Sequence, residues 1–223
     1  MRQLLIFLKY PTPGTVKTRL AVHVGAEAAA EIARACVELT LARLQRFQSE
    51  AILYIDPVGA LTQAREWLGT GWQLQPQVGA TLGERLRDAT ERAFAQGAQQ
   101  VVVIGIDSPW LQASDIEQAF IALQQADVVV GPAADGGYYL IGLSQPAPSL
   151  FAGVSWSSSA VYAQTQQNAH ALRLTLKALP LGYDIDRLED VVRFIEEERR
   201  RAVVPREVKR IDALMQRRPA CQS

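Results

Sequence analysis

The sequence predicts an α/β fold: a single domain with a mixed, mostly parallel sheet. Three observations lead there. The runs Leu4–Leu8, Val101–Ile104 and Val128–Val130 are apolar without alternation, the pattern of strands covered on both faces. Stretches between them repeat apolar residues at three- and four-residue spacing, so helices alternate with strands, the order a parallel sheet requires. A length of 223 residues at 48% hydrophobic content suffices for one large core.

Leu4 to Leu8 form the first strand. Lys9 to Arg19 read as a loop, since Pro11, Pro13 and Gly14 forbid regular structure. From Ala26 to about Gln48, residues Ile32, Cys36, Leu39, Leu44 and Phe47 mark one face of a long amphipathic helix. Ala51–Ile55 is a strand stopped by Asp56-Pro57, followed by a helix around Leu61–Leu68 and a short strand near Trp72–Leu74. Thr81 with Glu84 has capping-box spacing and opens a helix to about Gln96, which Gly97 ends. Val101–Ile106 is the central strand, with Pro109 preventing its continuation. Ser114 with Glu117 reads as a second capping box, opening a helix to about Gln125. Val128–Val130 and Tyr138–Leu143 are strands separated by a glycine-rich turn, the latter expected to be antiparallel. Pro146–Ser159 is a loop carrying Trp156; a helix near Ala160–Ala169 and a strand near Leu172–Leu176 follow. After Asp184-Ile185-Asp186 comes a charged helix to about Arg201, whose Glu189→Arg193, Glu196→Arg200 and Glu197→Arg201 pairs mark a solvated face. The domain is expected over residues 1–204, with a C-terminal helix and tail over 205–223.

Composition excludes several classes. The 23 basic and 23 acidic side chains balance, so no global field points to nucleic acid or an anionic membrane. The apolar start is too short before Lys9 for a signal peptide, and no stretch is long enough to span a membrane; a cytoplasmic location is expected. Cys36 and Cys221 suggest neither a disulfide framework nor a cysteine-based metal site.

Chemistry gathers at the ends of the strands. Asp107 follows the central strand, where open α/β sheets bind ligands, although an Asx turn into the next helix is the plainer reading. Lys9, Gly14, Lys17 and Arg19 occupy the loop after the first strand. Gly14-Thr15-Val16-Lys17-Thr18 lacks the glycine that a Walker A motif places before its lysine, yet Lys and Arg there still suit a polyphosphate. Asp184 and Asp186 alternate, so in extended chain they point the same way and with Asp107 suit one hard cation, Mg²⁺ or Mn²⁺. Asp186 with Glu189 equally has helix-capping spacing. Asp135-Gly136-Gly137-Tyr138 allows close backbone approach to a ligand, or is a tight turn. Trp156 stacks on a base or sugar, or plugs the core. His23 and His170 stand apart from any ligand spacing.

Together the basic loop from Lys9 to Leu20, Leu82-Gly83-Glu84-Arg85, Asp107-Ser108-Pro109, Gly131-Pro132 with Asp135-Gly136-Gly137-Tyr138-Tyr139, and Asp184-Ile185-Asp186 before Glu189-Asp190 resemble the GT-A-type nucleotide-diphospho-sugar transferase superfamily. Within it the chain is most similar to glycosyltransferase-like proteins associated with radical-SAM and selenoprotein-domain genes and with arsenosugar biosynthesis. The resemblance implies a Rossmann-like three-layer α/β/α sandwich, a divalent metal at Asp107 and nucleotide phosphates near Lys17 and Arg19. Lys9, Gly14, Arg85, Asp135, Gly136, Gly137, Tyr138 and Trp156 would then contact nucleotide or substrate. Sugar-transferring members usually carry Asp-x-Asp at the metal strand; Asp107-Ser108-Pro109 is more like the nucleotidyltransferase branch. Relatives commonly have threonine where this chain has Arg187.

The expected activity is glycosyl transfer from a nucleotide-sugar to a small-molecule acceptor, with nucleotidyl transfer releasing pyrophosphate as the alternative and a non-catalytic nucleotide-binding module as a further one. Asp107, Lys17 and Arg19 are the expected catalytic groups, and Asp107, Asp184 and Asp186 the expected metal ligands. No nucleic acid or membrane partner is expected, and a homodimer is left open.

Overall fold

The computed structural model describes residues 1–216. Its strands are β1 (Arg2–Lys9), β2 (Ala51–Asp56), β3 (Gln73–Pro76), β4 (Gln100–Ile104), β5 (Val128–Pro132), β6 (Tyr138–Leu143) and β7 (Leu176–Ala178). They form one sheet in the order β3-β2-β1-β4-β6-β5-β7, with β6 antiparallel to both neighbours and every other pair parallel. β4 therefore lies at the centre, as its unbroken apolar run predicts, and the expected antiparallel strand is β6. The order turns at β1, which pairs β2 on one side and β4 on the other. Such a switch point opens a crevice beyond the carboxyl ends of the strands.

Alternate residues of the same strands feed two apolar layers. Leu4, Ile6 and Leu8 with Val102 and Ile104 pack under Phe47, Ala64 and Phe120. Leu5, Phe7, Val101 and Val103 pack under Leu86, Ala89 and Ala93 on the other face. The covering helices are α2 (Ala26–Arg43), α3 (Leu61–Leu68) and α5 (Ala113–Ala122) on the first face, and α4 (Leu82–Ala95) and α6 (Val161–Ala171) on the second. The result is the expected three-layer sandwich. Each fully buried Leu or Ile contributes about 1.5–3 kcal/mol, so the double-sided strands anchor the fold. A third cluster joins α1 (Thr18–Val24), α2, α7 (Leu188–Arg199) and α8 (Arg206–Gln216) through Leu20, Ile32, Leu39, Phe194, Val208 and Ile211. It seats Tyr183 and Ile185.

Several local expectations shift. The loop after β1 ends at Lys17, because Thr18–Val24 forms a helix absent from the sequence reading. The long helix stops at Arg43, and Gln45–Glu50 tightens into a 3₁₀ turn. Pairing of β4 ends at Ile104, so Gly105 and Ile106 already belong to the crevice rim. The Thr81/Glu84 capping box forms as expected, with the Glu84 N–H donating to Thr81 Oγ1 at 3.2 Å and the Thr81 N–H to Glu84 Oε2 at 3.3 Å. The second box moves: α5 starts two residues before the predicted pair is in register, and Asp115 accepts from the Gln112 N–H at 2.7 Å. β7 begins only at Leu176, since Arg173 takes a left-handed φ of 57° that interrupts the chain after α6. Cys221 lies outside the described residues.

Candidate functional site

The carboxyl ends of β1, β2 and β4 and the start of β6 meet at one sheet edge, because β6 runs the opposite way. The crevice there has two joined parts. One, of about 470 Å³, lies over β1, β2 and β4 and is lined by Lys9, Asp56, Gln77, Arg85 and Asp107 among others. The other, of about 630 Å³, lies over β6 and α6 and is lined by Arg19, Asp135, Gly137, Trp156 and Ser157–Ser159. Lys17, Leu82, Tyr138, Asp184 and Asp186 line both and form the waist.

Lys17 is the residue around which the waist is built. It takes φ 47° and ψ 41° just before α1, a left-handed conformation that costs a non-glycine residue about 1 kcal/mol or more. Its side chain is only 2% exposed, so it is no solvated loop cation; the ammonium pairs with Asp107 and stands 3.9 Å from Asp186. Burial alone would lower the Lys17 pKa, but the facing carboxylates, Asp107 foremost, outweigh it and raise the pKa. Arg19, largely exposed, places Nη1 3.7 Å from Asp186. Lys9 reaches only the Thr15 carbonyl, at 2.9 Å, and tethers its own loop. Gly14 supplies φ 78° in that loop and does not line the crevice.

The Asx-turn reading of Asp107 fails, because its carboxylate is taken by Lys17 and its carbonyl accepts from the Ile185 N–H at 2.8 Å. That bond sets the Asp184–Asp186 segment beside the end of β4. Ser108 Oγ donates to Asp184 at 2.6 Å and to the Tyr183 carbonyl at 3.2 Å. Burial pushes the Asp184 carboxyl up to about 6, opposed by the Ser108 bond and reinforced by Asp107 and Asp135. Burial also raises Asp186. The helix-capping reading of Asp186 fails as well. Asp190 accepts from the N–H groups of Asp186 (3.0 Å) and Arg187 (2.7 Å), leaving the Asp186 carboxylate free to face Lys17 and Arg19. Both carboxylates thus point into the crevice, as their alternation predicts.

Around the first part, Arg85 is held by Asp56 at 3.0 Å, the Gly79 carbonyl at 3.0 Å and Gln77 at 3.3 Å. Gln77 in turn donates to the Tyr54 carbonyl at 3.0 Å. This polar wall closes the ends of β1 and β2. Around the second part, Asp135 accepts from the Gly137 N–H at 2.9 Å, so it makes a turn and lines the crevice at once. Gly136 has φ 89°, and a Cβ there would lie 2.2 Å from the Ser159 carbonyl oxygen; the turn is pressed against the Ser157–Ser159 loop. Trp156 lies against Gly83 and edge-on to Tyr138 at 6.4 Å, forming a wall of the second part.

Sequence reasoning missed Asp56, Gln77 and Ser108. Ser108 carried a signal, its place between Asp107 and Pro109; Gln77 carried none. Among the described residues no group of three histidine, cysteine or acidic side chains stands ready to hold a metal ion. Beside the Lys17 ammonium, the waist nonetheless brings the carboxylates of Asp184 and Asp186 together next to Asp107, and carboxylate oxygens suit a hard cation that takes one or two protein carboxylates and completes its shell from phosphate and water. No described helix is long and apolar enough to cross a membrane.

Residues 40–158 match the family described as "Uncharacterized protein conserved in bacteria (DUF2064)". Two similar proteins are named phosphoenolpyruvate guanylyltransferase. The one from Sphaerobacter thermophilus is 27% identical over 79% of this chain and 85% of its own length, and the one from Chloroflexus aggregans is 31% identical over 65% and 69%. The crystal structure of a provisionally named nucleotide-diphospho-sugar transferase from Desulfovibrio desulfuricans G20 superposes with a TM-score of 0.89 at 32% identity, covering 96% of both chains.

Proposed function

We propose that this chain, which belongs to the DUF2064 family, is a divalent-cation-dependent nucleotidyltransferase that joins a nucleoside monophosphate unit to an anionic small molecule. Its homologues make it a transferase of the nucleotidyl or glycosyl type. The observation that carries the nucleotidyl reading is the waist itself: one buried ammonium between Asp107 and Asp186, where the two parts of the crevice join. Ser108 and Pro109 follow Asp107, so the second carboxylate comes from the Asp184–Asp186 segment and not from the strand end. The guanylyltransferase relatives favour GTP and a phosphorylated carboxylic acid as the pair to test first.

In this reading the triphosphate lies across the waist with its nucleoside in the part walled by Asp56, Gln77 and Arg85. The acceptor enters beside Arg19, Asp135 and Ser157–Ser159. An acceptor oxygen attacks the α-phosphorus, and the bond to the bridging oxygen breaks to release pyrophosphate. Lys17 and Arg19 offset the negative charge that gathers on the departing group; such transfers depend on positioning and electrostatic stabilisation, with no protein nucleophile required. Asp107 with Asp184 or Asp186 would hold Mg²⁺ or Mn²⁺, which supplies charge withdrawal from the phosphate oxygens.

The test is pyrophosphate release from each nucleoside triphosphate, with phosphoenolpyruvate and with other phosphorylated acids, with and without Mg²⁺ or Mn²⁺. Release that needs both acceptor and cation, and disappears in Asp107→Ala, is the expected result. Glycosyl transfer from a nucleotide-sugar to a small-molecule acceptor is the second reading, favoured by the hydroxyl-lined Ser157–Ser159 side of the crevice and by the sugar-transferase name of the Desulfovibrio protein. Release of nucleoside diphosphate from a nucleotide-sugar, with no pyrophosphate from any triphosphate, would replace the first reading with this one. A nucleotide that raises the melting midpoint while yielding no product from any donor would instead identify a binding module.

A further inference from the structure

A buried ion pair outside the crevice is joined to the loop that carries Asp107. Arg43, the last residue of α2, is 9% exposed and Glu198, on α7, is 1% exposed; the guanidinium pairs with Glu198 through Nη2. Its Nη1 donates to the carbonyl of Pro109, two residues beyond Asp107. Glu198 also stands 2.9 Å from Arg201. The preceding residue, Glu197, accepts from the Tyr183 hydroxyl at 2.5 Å, and Arg193 lies 3.8 Å over the Tyr183 ring. The Tyr183 carbonyl accepts from Trp110 Nε1 at 2.7 Å, and the two rings stack at 5.6 Å. Consecutive glutamates of one helix therefore hold both carboxylate-bearing segments, Glu198 through Arg43 the loop after β4, and Glu197 through Tyr183 the segment leading to Asp184 and Asp186.

We propose that Arg43 is a positioning residue for Asp107, with Glu198 fixing its guanidinium. The proposal rests on the nucleotidyl-transfer reading for its kinetic consequence, while its structural core, the placement of the Asp107–Leu111 loop, stands independently. Stability alone explains the arrangement poorly, because a buried ion pair replaced by apolar side chains of similar volume often leaves a fold equally stable or more so. What an apolar pair does not supply is the two-pronged donor that spans Glu198 and the Pro109 carbonyl at the same time. Displacing a reacting group by about 1 Å costs on the order of a hundredfold in rate, so a loop tether of this kind acts on turnover.

Three variants separate positioning from folding. Arg43→Met leaves Glu198 buried opposite an apolar side chain and lowers the melting midpoint. Arg43→Met with Glu198→Met also removes the buried carboxylate, which in the single variant keeps only the half-exposed Arg201 as its ion-pair partner among the described residues, and returns the midpoint to near that of the unaltered chain. Arg43→Lys keeps the charge but loses the planar fork. Amide hydrogen exchange is read over Asp107–Leu111 and over β1, together with kcat and KM for the nucleotide. In the double variant and in Arg43→Lys, exchange of the Asp107–Leu111 amides rises at least tenfold while β1 is unchanged. In both, kcat falls ten- to a hundredfold with nucleotide KM within about threefold. Loop exchange at the unaltered rate in the double variant or in Arg43→Lys overturns the proposal, as does recovery of kcat together with the melting midpoint. If the unaltered chain releases no pyrophosphate, the nucleotidyl reading fails and loop exchange still decides the positioning claim.

Discussion

Replacing Lys17 with methionine keeps most of the buried stem and removes the ammonium that faces Asp107 and Asp186. At 3.9 Å and an effective dielectric of about 20, one such charge pair amounts to roughly 4 kcal/mol before solvent is considered. The carboxylates are about half exposed, 51% for Asp107 and 49% for Asp186, so water recovers much of that attraction. The ammonium also no longer has to be desolvated, which offsets the loss further. A net destabilisation of about 1–2 kcal/mol remains, lowering the melting midpoint by roughly 2–8 °C for a chain of this size. Turnover suffers more. Loss of one preorganised charge that stabilises a transition state costs on the order of a hundred- to a thousandfold in kcat. The assay is pyrophosphate release at saturating nucleotide beside a thermal melt, with Lys177→Met on the sheet edge as the control for simple charge removal. A rate within about threefold of the unaltered chain would refute the placement of Lys17 at the reacting phosphates. A midpoint unchanged to within 1 °C or so would refute its role in holding the waist together.

Three more outcomes follow from the same geometry. Asp184 has its pKa raised to about 6 by burial, against about 3.9 unfolded. The folded state therefore binds the extra proton, and stability falls as pH rises from about 4 to about 6, by about 3 kcal/mol in all. Asp184→Asn, which still accepts from Ser108, should raise the melting midpoint at pH 7.5 and change it little at pH 4 while lowering activity; an equal rise at both values would contradict the burial argument. Gly83→Ala places a Cβ 2.5 Å from Trp156 Nε1, and overpacking of this kind costs about 1–3 kcal/mol, so a lower midpoint with altered tryptophan emission is expected, and an unchanged melt would show that Trp156 is free to move. Burial pushes the Cys36 thiol up to about 11, with Lys17 partly opposing the shift. It should therefore resist iodoacetamide at pH 8 until the chain unfolds, and labelling of the native protein within minutes, read by mass spectrometry, would argue for an opened core around α2.

Where sequence and structure agree, the governing interactions are local or repeated. β1 and β4 are legible because every residue of Leu4–Leu8 and Val101–Ile104 is apolar, and only a doubly covered strand tolerates that. The start of α4 is legible because Thr81 and Glu84 satisfy each other across one turn. The strand ends that carry Lys17, Asp107, Asp135 and Asp184 were legible as one edge once the strand directions were known. Spacing misled wherever two partners competed within a few residues. Glu189 and Asp190 are both placed to cap α7, and the chain path after Ile185 selects Asp190, which frees Asp186 for the crevice.

By itself, then, the amino-acid order determined the layer architecture, the central strand, the antiparallel β6 and the gathering of carboxylates and cations at one sheet edge, since these follow from burial patterns and strand direction. Only the tertiary structure decided that Lys17 is buried and paired while Lys9 and Arg19 remain largely in solvent. That difference arises from one left-handed backbone residue and the packing of α1, α2 and α7 around it. It likewise decided the link from Arg43 to Pro109 and Glu198, partners 66 and 155 positions apart in the chain. No local pattern encodes such a link, because its geometry exists only after the helices have packed.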